Sequence, residues 1–214
     1  MPTCRWGLPQ RGFDRLGCFA DLPGSAIIDL MEDAITTAFA SLLSLPCWGV
    51  DRVQGSILTF EFGSPHLIVR EPYISTSSSA KILQRASRRR VKPVGEWNLF
   101  IFCCHWSVVA TGETLADDES THEQIDAAVR ALDGQKLAGF TLDAATRVTT
   151  FAFDLGAALT TWPYEADEEE QWSLYLPESR VLTYRADGRY SLGPGDEKLE
   201  AEVWLALARS VRVP

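Results

Sequence analysis

The sequence predicts an α+β fold: two tandem, pseudo-symmetric units, each a helix plus an antiparallel β-sheet, packed into one compact body. Three observations lead there. A Phe-x-Phe block recurs in each half, a tryptophan-led alternating stretch follows each block, and a helical apolar pattern precedes each.

The blocks keep the same order. Leu58-Thr59-Phe60-Glu61-Phe62-Gly63 leads into an apolar run from His66 to Val69 and then Pro72. Thr149-Thr150-Phe151-Ala152-Phe153 leads through Gly156 into Ala157 to Trp162 and then Pro163. Glu96-Trp97-Asn98-Leu99 opens the next alternating stretch in the first half, and Gln171-Trp172-Ser173-Leu174 opens it in the second. Trp97 is therefore expected to match Trp172. Large apolar residues at every second position mark half-buried strands, and the glycine after each block marks a turn.

The second helix is signalled most fully. Ser120 and Glu123 have capping-box spacing, Ile125, Ala128, Val129 and Leu132 share one face, and Gly134 follows as a left-handed stop. The first helix, expected over residues 25–45, is apolar around most of its circumference, which predicts a position between layers. Between Phe62 and Trp97 lie 34 residues, against 18 between Phe153 and Trp172. The excess reads as a long basic surface loop over 75–93 with a short helix near 79–86. The turn signal Gly193-Pro194-Gly195 ends the sheet, and 201–208 closes the fold as a short helix or strand. The expected organisation is a poorly ordered extension (1–22), a first unit (23–118) and a second unit (119–214).

Composition bounds the function classes. The chain has 214 residues, 46% hydrophobic and 23% charged, which is ordinary for a globular protein. Its 29 acidic and 20 basic side chains leave a net charge of −9, which repels phosphate backbones and argues against nucleic acid. No apolar run reaches the length of a membrane span, and arginines interrupt the first 23 residues where a secretory signal would need an apolar core. Five cysteines at irregular spacing fit reduced thiols and a cytoplasmic location.

The phrases Leu45-Pro46-Cys47-Trp48-Gly49-Val50-Asp51-Arg52, Phe60-Glu61-Phe62-Gly63, Gly95-Glu96-Trp97-Asn98-Leu99 and Cys104-His105-Trp106-Ser107-Val108 together resemble a family of uncharacterised bacterial proteins. The resemblance spans roughly 31–177. It implies a compact fold and no particular activity, cofactor or ligand, and it makes Met31 a conceivable start.

No constellation of catalytic residues stands out. Cys103-Cys104-His105 offers metal-ligand types, but on a strand Cys104 faces away from the other two, and His66 and His122 lack ligand spacing, so no metal or cofactor is expected. A hydrolytic site of Cys104 with His66 and Glu61 is imaginable, though nothing in the spacing favours it. Leu192-Gly193-Pro194-Gly195 is not a phosphate-binding loop. The basic loop, with Lys81, Arg85, Arg88, Arg89, Arg90 and Lys92, is read as solvated surface, balanced by Glu165, Asp167, Glu168, Glu169 and Glu170. Among seven tryptophans, Trp48, Trp106 and Trp162 are the candidate contact residues for a partner, with Arg88, Arg89 and Arg90. The expectation is a non-enzymatic bacterial interaction or accessory protein, immunity-like, whose partner is another protein. The alternatives are a small-molecule-binding protein or hydrolase with a site between the repeats, and a nucleic-acid contact through 81–92. The balance of features is against an enzyme.

Overall fold

A computed structural model describes residues 34–197 and 201–214. The extension over 1–22, the start of the first helix and Met31 lie outside the described residues. The described part of the first helix, α1, covers 34–42. Seven strands follow: β1 (Cys47–Arg52), β2 (Leu58–Phe62), β3 (His66–Arg70), β4 (Arg90–Val94), β5 (Trp97–Ile101), β6 (His105–Ala110) and β7 (Glu113–Asp117), with α2 (Ala80–Ala86) between β3 and β4. Then come α3 (His122–Leu132), β8 (Leu137–Leu142), β9 (Thr149–Phe153), β10 (Ala157–Trp162), β11 (Glu170–Leu176), β12 (Arg180–Arg185), β13 (Arg189–Pro194), β14 (Leu205–Ala206) and β15 (Val211–Val213).

This is a mostly-β protein, which corrects the α+β expectation. The described helices are three short ones, and the strands form a seven-stranded sheet, β1-β2-β5-β11-β12-β13-β14, a six-stranded sheet, β15-β8-β9-β10-β6-β7, and the separate pair β3-β4. All the pairings are antiparallel. The described residues do not form tandem helix-plus-sheet units, because each large sheet takes strands from both halves of the chain. The first half gives β1-β2-β5 to one sheet and β6-β7 to the other; the second half gives β8-β9-β10 and β11-β12 in the opposite sense.

That exchange reassigns the tryptophans. Phe60 and Phe62 on β2 occupy the place of Phe151 and Phe153 on β9, each on the second strand of its meander. Trp97 and Trp172, however, lie on neighbouring strands of the same sheet, where Trp172 pairs with Ile101. The counterpart of Trp172 is Trp106. Trp106 pairs with Thr161 on β10 as Trp172 pairs with Ile101 on β5, and the phrases Trp106-Ser107-Val108 and Trp172-Ser173-Leu174 align. Both indoles are buried, and both ring N–H groups are satisfied, by the Ser56 carbonyl (2.8 Å) and the Thr149 hydroxyl (3.0 Å).

The halves meet at a local twofold. Pro46 bridges Lys136, Ser44 N–H donates to the Leu137 carbonyl while Gly134 N–H donates to that of Cys47, and Cys47 N–H reaches Gln135 while Leu137 N–H reaches Leu45. Each participant has its symmetry counterpart 90 positions away: Ser44 and Gly134, Leu45 and Gln135, Pro46 and Lys136, Cys47 and Leu137. Ser44 and Gly134 both take left-handed φ, +65° and +88°, where each helix gives way to its first strand.

Between the sheets, period-2 alternation aligns inward rows: Phe60, Leu99, Leu174, Leu182 and Leu192 run across one sheet, and Phe140, Phe151, Leu159, Val108 and Ala116 across the other. Helix α1 contributes to the same core. Phe39 stacks on Phe140 at 3.6 Å and meets Trp172 edge-on at 5.5 Å, so one ring touches both sheets. Ile35 and Leu42 beside it are fully buried. Each such side chain contributes about 1.5–3 kcal/mol by leaving water. On α3 the buried residues are the four that the spacing marks, Ile125, Ala128, Val129 and Leu132. Its capping box lies one residue beyond the expected pair: Thr121 and Gln124 form it, because the Ser120 hydroxyl is taken by Asp117 at 2.6 Å.

Candidate functional site

Where β9 turns into β10 through three residues, Asp154, Leu155 and Gly156, β2 reaches β5 only after residues 63–96. This insertion folds as an arm: β3 and β4 pair from His66↔Val94 to Arg70↔Arg90, with α2 at the far end. The expected loop over 75–93 is therefore irregular only in part. Its helix is Ala80–Ala86, and its last residues are strand.

The arm is fastened at its root. Glu61, on the outer face of β2, has a side chain only 4% exposed, and its carboxylate accepts from Gly95 N–H at 2.9 Å and from Lys92 Nζ at 3.2 Å. A Cβ at position 95 would collide with the Phe62 carbonyl, so only glycine lets the returning chain pass β2. Trp48 donates from its indole to the Gly63 carbonyl at 3.0 Å, and Ser64 N–H donates to Glu96. The equivalent of Glu61 in the other half is Ala152, which has no arm to hold.

Alternation gives the two-stranded arm two unlike faces. Outward it shows Leu67, Val69 and Val91, 68%, 52% and 55% exposed, with Pro93. With Tyr73, Ile74, Ile82 and Leu83, the arm carries seven of the eleven exposed large hydrophobics among the described residues; the others are Val53, Leu155, Tyr164 and Val203. Inward, His66, Ile68, Arg70, Arg90, Lys92 and Val94 roof a groove over the outer face of the seven-stranded sheet, a cavity of about 480 Å³. Asn98, Phe100 and Tyr175 line it from the sheet, and Arg180, Val181 and Asp196 from the far side. Segment 63–96 holds seven basic and two acidic side chains, a net of +5 in a chain of net −9.

The sequence-predicted contact residues scatter. Trp106 is buried in the core and offers no indole to a partner. Trp48 is half-buried at the arm root, and Trp162 is half-buried and stacked on His105 at 5.6 Å. Arg90 lines the groove, Arg88 is exposed, and Arg89 pairs with Glu71 at 2.9 Å. The acids at 165–170 do not answer the arm through Glu168, which pairs instead with Arg185.

Nor does the structure assemble the imagined hydrolytic trio. Glu61 and His66 line the groove, while Cys104 is buried elsewhere, its thiol donating to the Gln171 carbonyl. Burial pushes that thiol well above its ordinary range, so it stays protonated and a poor nucleophile. His105 belongs to another cluster. Its Nδ1 lies 3.0 Å from the largely buried Asp118 carboxylate, and its ring sits between Trp162 and Tyr164. Asp118 also accepts from Trp106 N–H, so the dyad buttresses the start of β6. Among the described residues no group of His, Cys, Asp and Glu could hold a metal ion, and no helix is long and apolar enough to cross a membrane.

Sequence reasoning missed the groove because its walls come from two segments, 61–100 and 175–196, far apart in the chain; the available signal was the charged alternation in Arg70, Arg90 and Lys92. No protein-family model matches the chain, and neither a curated protein nor a solved structure matches it.

Proposed function

We propose that this chain is a non-enzymatic interaction protein, of the accessory or immunity-like kind, whose arm docks on another protein. One observation carries the reading: exposed large hydrophobics concentrate on the segment that one half of the chain carries and the other replaces with a three-residue turn. Apolar surface in contiguous patches is costly to leave in water and marks contact sites. The arm's basic character favours a partner with an acidic surface, and the acidic remainder of the chain works against a nucleic-acid strand lying along it.

The test is a photo-crosslinking amino acid placed at Val69 and, separately, at Leu155, in cells that make the protein. Val69 should give one discrete adduct that disappears when Leu67 and Val91 are both changed to serine, and Leu155 should give none. Equal adducts from both positions, or none from Val69, would defeat the reading.

A further inference from the structure

We propose that the groove beneath the arm is a binding site for a small ligand with one anionic head, a carboxylate or phosphate, on a flat apolar body. The proposal concerns the inner face of the arm and does not depend on the docking role of the outer face.

The two strands of the β3-β4 ladder meet in an unfavourable pairing. Arg70 and Arg90 stand directly opposite each other in the β3-β4 register, and like charges so placed destabilise a strand pair. The nearby carboxylates do not relieve them. Glu71 is engaged by Arg89, whose Nε donates to both its oxygens, and Glu61 is engaged by Lys92 and Gly95. Among the described residues Arg70, Arg90 and Arg180 have no ion-pair partner, and all three line the same cavity. Guanidinium groups grip a carboxylate or phosphate through two parallel N–H bonds, so an anion between Arg70 and Arg90 would turn the repulsion into two charge-assisted contacts.

The rest of the lining selects the ligand. Phe100 and Tyr175, edge to face at 5.6 Å, and Ile68 opposite them offer apolar surfaces for a flat body. A volume of about 480 Å³ lies within the roughly 300–1,000 Å³ of small-molecule sites. Glu178 and Asp196 line the side away from the arm, so a long polyanion would meet repulsion there. Glu178 and Ser179 hold left-handed φ of +62° and +59°, and backbone strain of this kind collects at ligand sites.

Anilinonaphthalene sulfonate, an aromatic body with a single anionic head, is the probe. Titrated into the full chain at fixed ionic strength, it should bind saturably to one site. The double variant Arg70→Gln/Arg90→Gln, whose side chains are exposed and whose melting temperature should be no lower than the parent's, should weaken binding about tenfold or more. The outer-face variant Leu67→Ser/Val69→Ser should bind as the parent does. Competition by naphthoate and by naphthyl phosphate then separates a carboxylate from a phosphate preference. The proposal fails if the parent shows no saturable binding, if the arginine variant binds as tightly as the parent, or if only the outer-face variant loses the probe.

Discussion

Asp143 shows how one exposed side chain ties distant segments together. One carboxylate oxygen accepts from Ala145 N–H, Thr146 N–H and the Thr146 hydroxyl, closing the β8-β9 turn. The other accepts from the Ser210 hydroxyl, at the entry to β15. The bonds from Thr146, foremost, hold its pKa below the ordinary 3.8. A carboxylate depressed in the folded state stabilises above its unfolded pKa, and that contribution is lost as pH falls through the folded value. Asp143→Asn should therefore melt below the parent at neutral pH, and the gap should close as the solution is acidified through 3.8 and below. Thermal melts across that range check it; a gap independent of pH would mean the charge does nothing there. Glu61 is the opposite lesson at this scale. In the sequence it stood as the acid of an imaginable Cys104–His66 hydrolytic site, whereas its burial and its bonds to Lys92 and Gly95 make it the anchor of the arm.

At the scale of elements, local signals were legible and pairings were not. The α3 face could be read residue by residue, because helical period is a property of adjacent positions. The match of Trp97 to Trp172 failed because strand partners are chosen across the sheet interface. The pairings β5-β11 and β6-β10 leave no local mark, although Trp106-Ser107-Val108 stood beside Trp172-Ser173-Leu174 for comparison. The α+β expectation overweighted two helical patterns; β7 and β12, whose sequences Glu113–Asp117 and Arg180–Arg185 lack a clean alternation of large apolar residues, did not stand out. The two main helices make a testable pair. Leu42 on α1 and Leu132 on α3 are fully buried and occupy corresponding places, 90 positions apart. Leu42→Ala and Leu132→Ala should each cost about 2–5 kcal/mol, by comparable amounts in denaturant titrations. One tolerated and the other unfolding the chain would show that the helices do unlike work.

The whole molecule is a two-sheet body with an arm added to it. The body's strand order repeats between halves, its core is continuous from Phe39 through Trp172 and Tyr184, and the arm stands outside it. The chain carries its own design for a body without an arm: Phe151-Ala152-Phe153-Asp154-Leu155-Gly156 does what Phe60-Glu61-Phe62 and the arm do in the other half. The most direct test replaces residues 63–96 with Asp-Leu-Gly and changes Glu61→Ala, so that no buried carboxylate is left unpaired. Its thermal melt is then followed by near-ultraviolet circular dichroism, which reports the packed aromatic core. The account predicts a native-like aromatic signal lost in one cooperative transition, because no inward-facing row of either sheet comes from the arm. A variant with no aromatic signal and no transition would contradict it, showing that the arm is part of what folds the body.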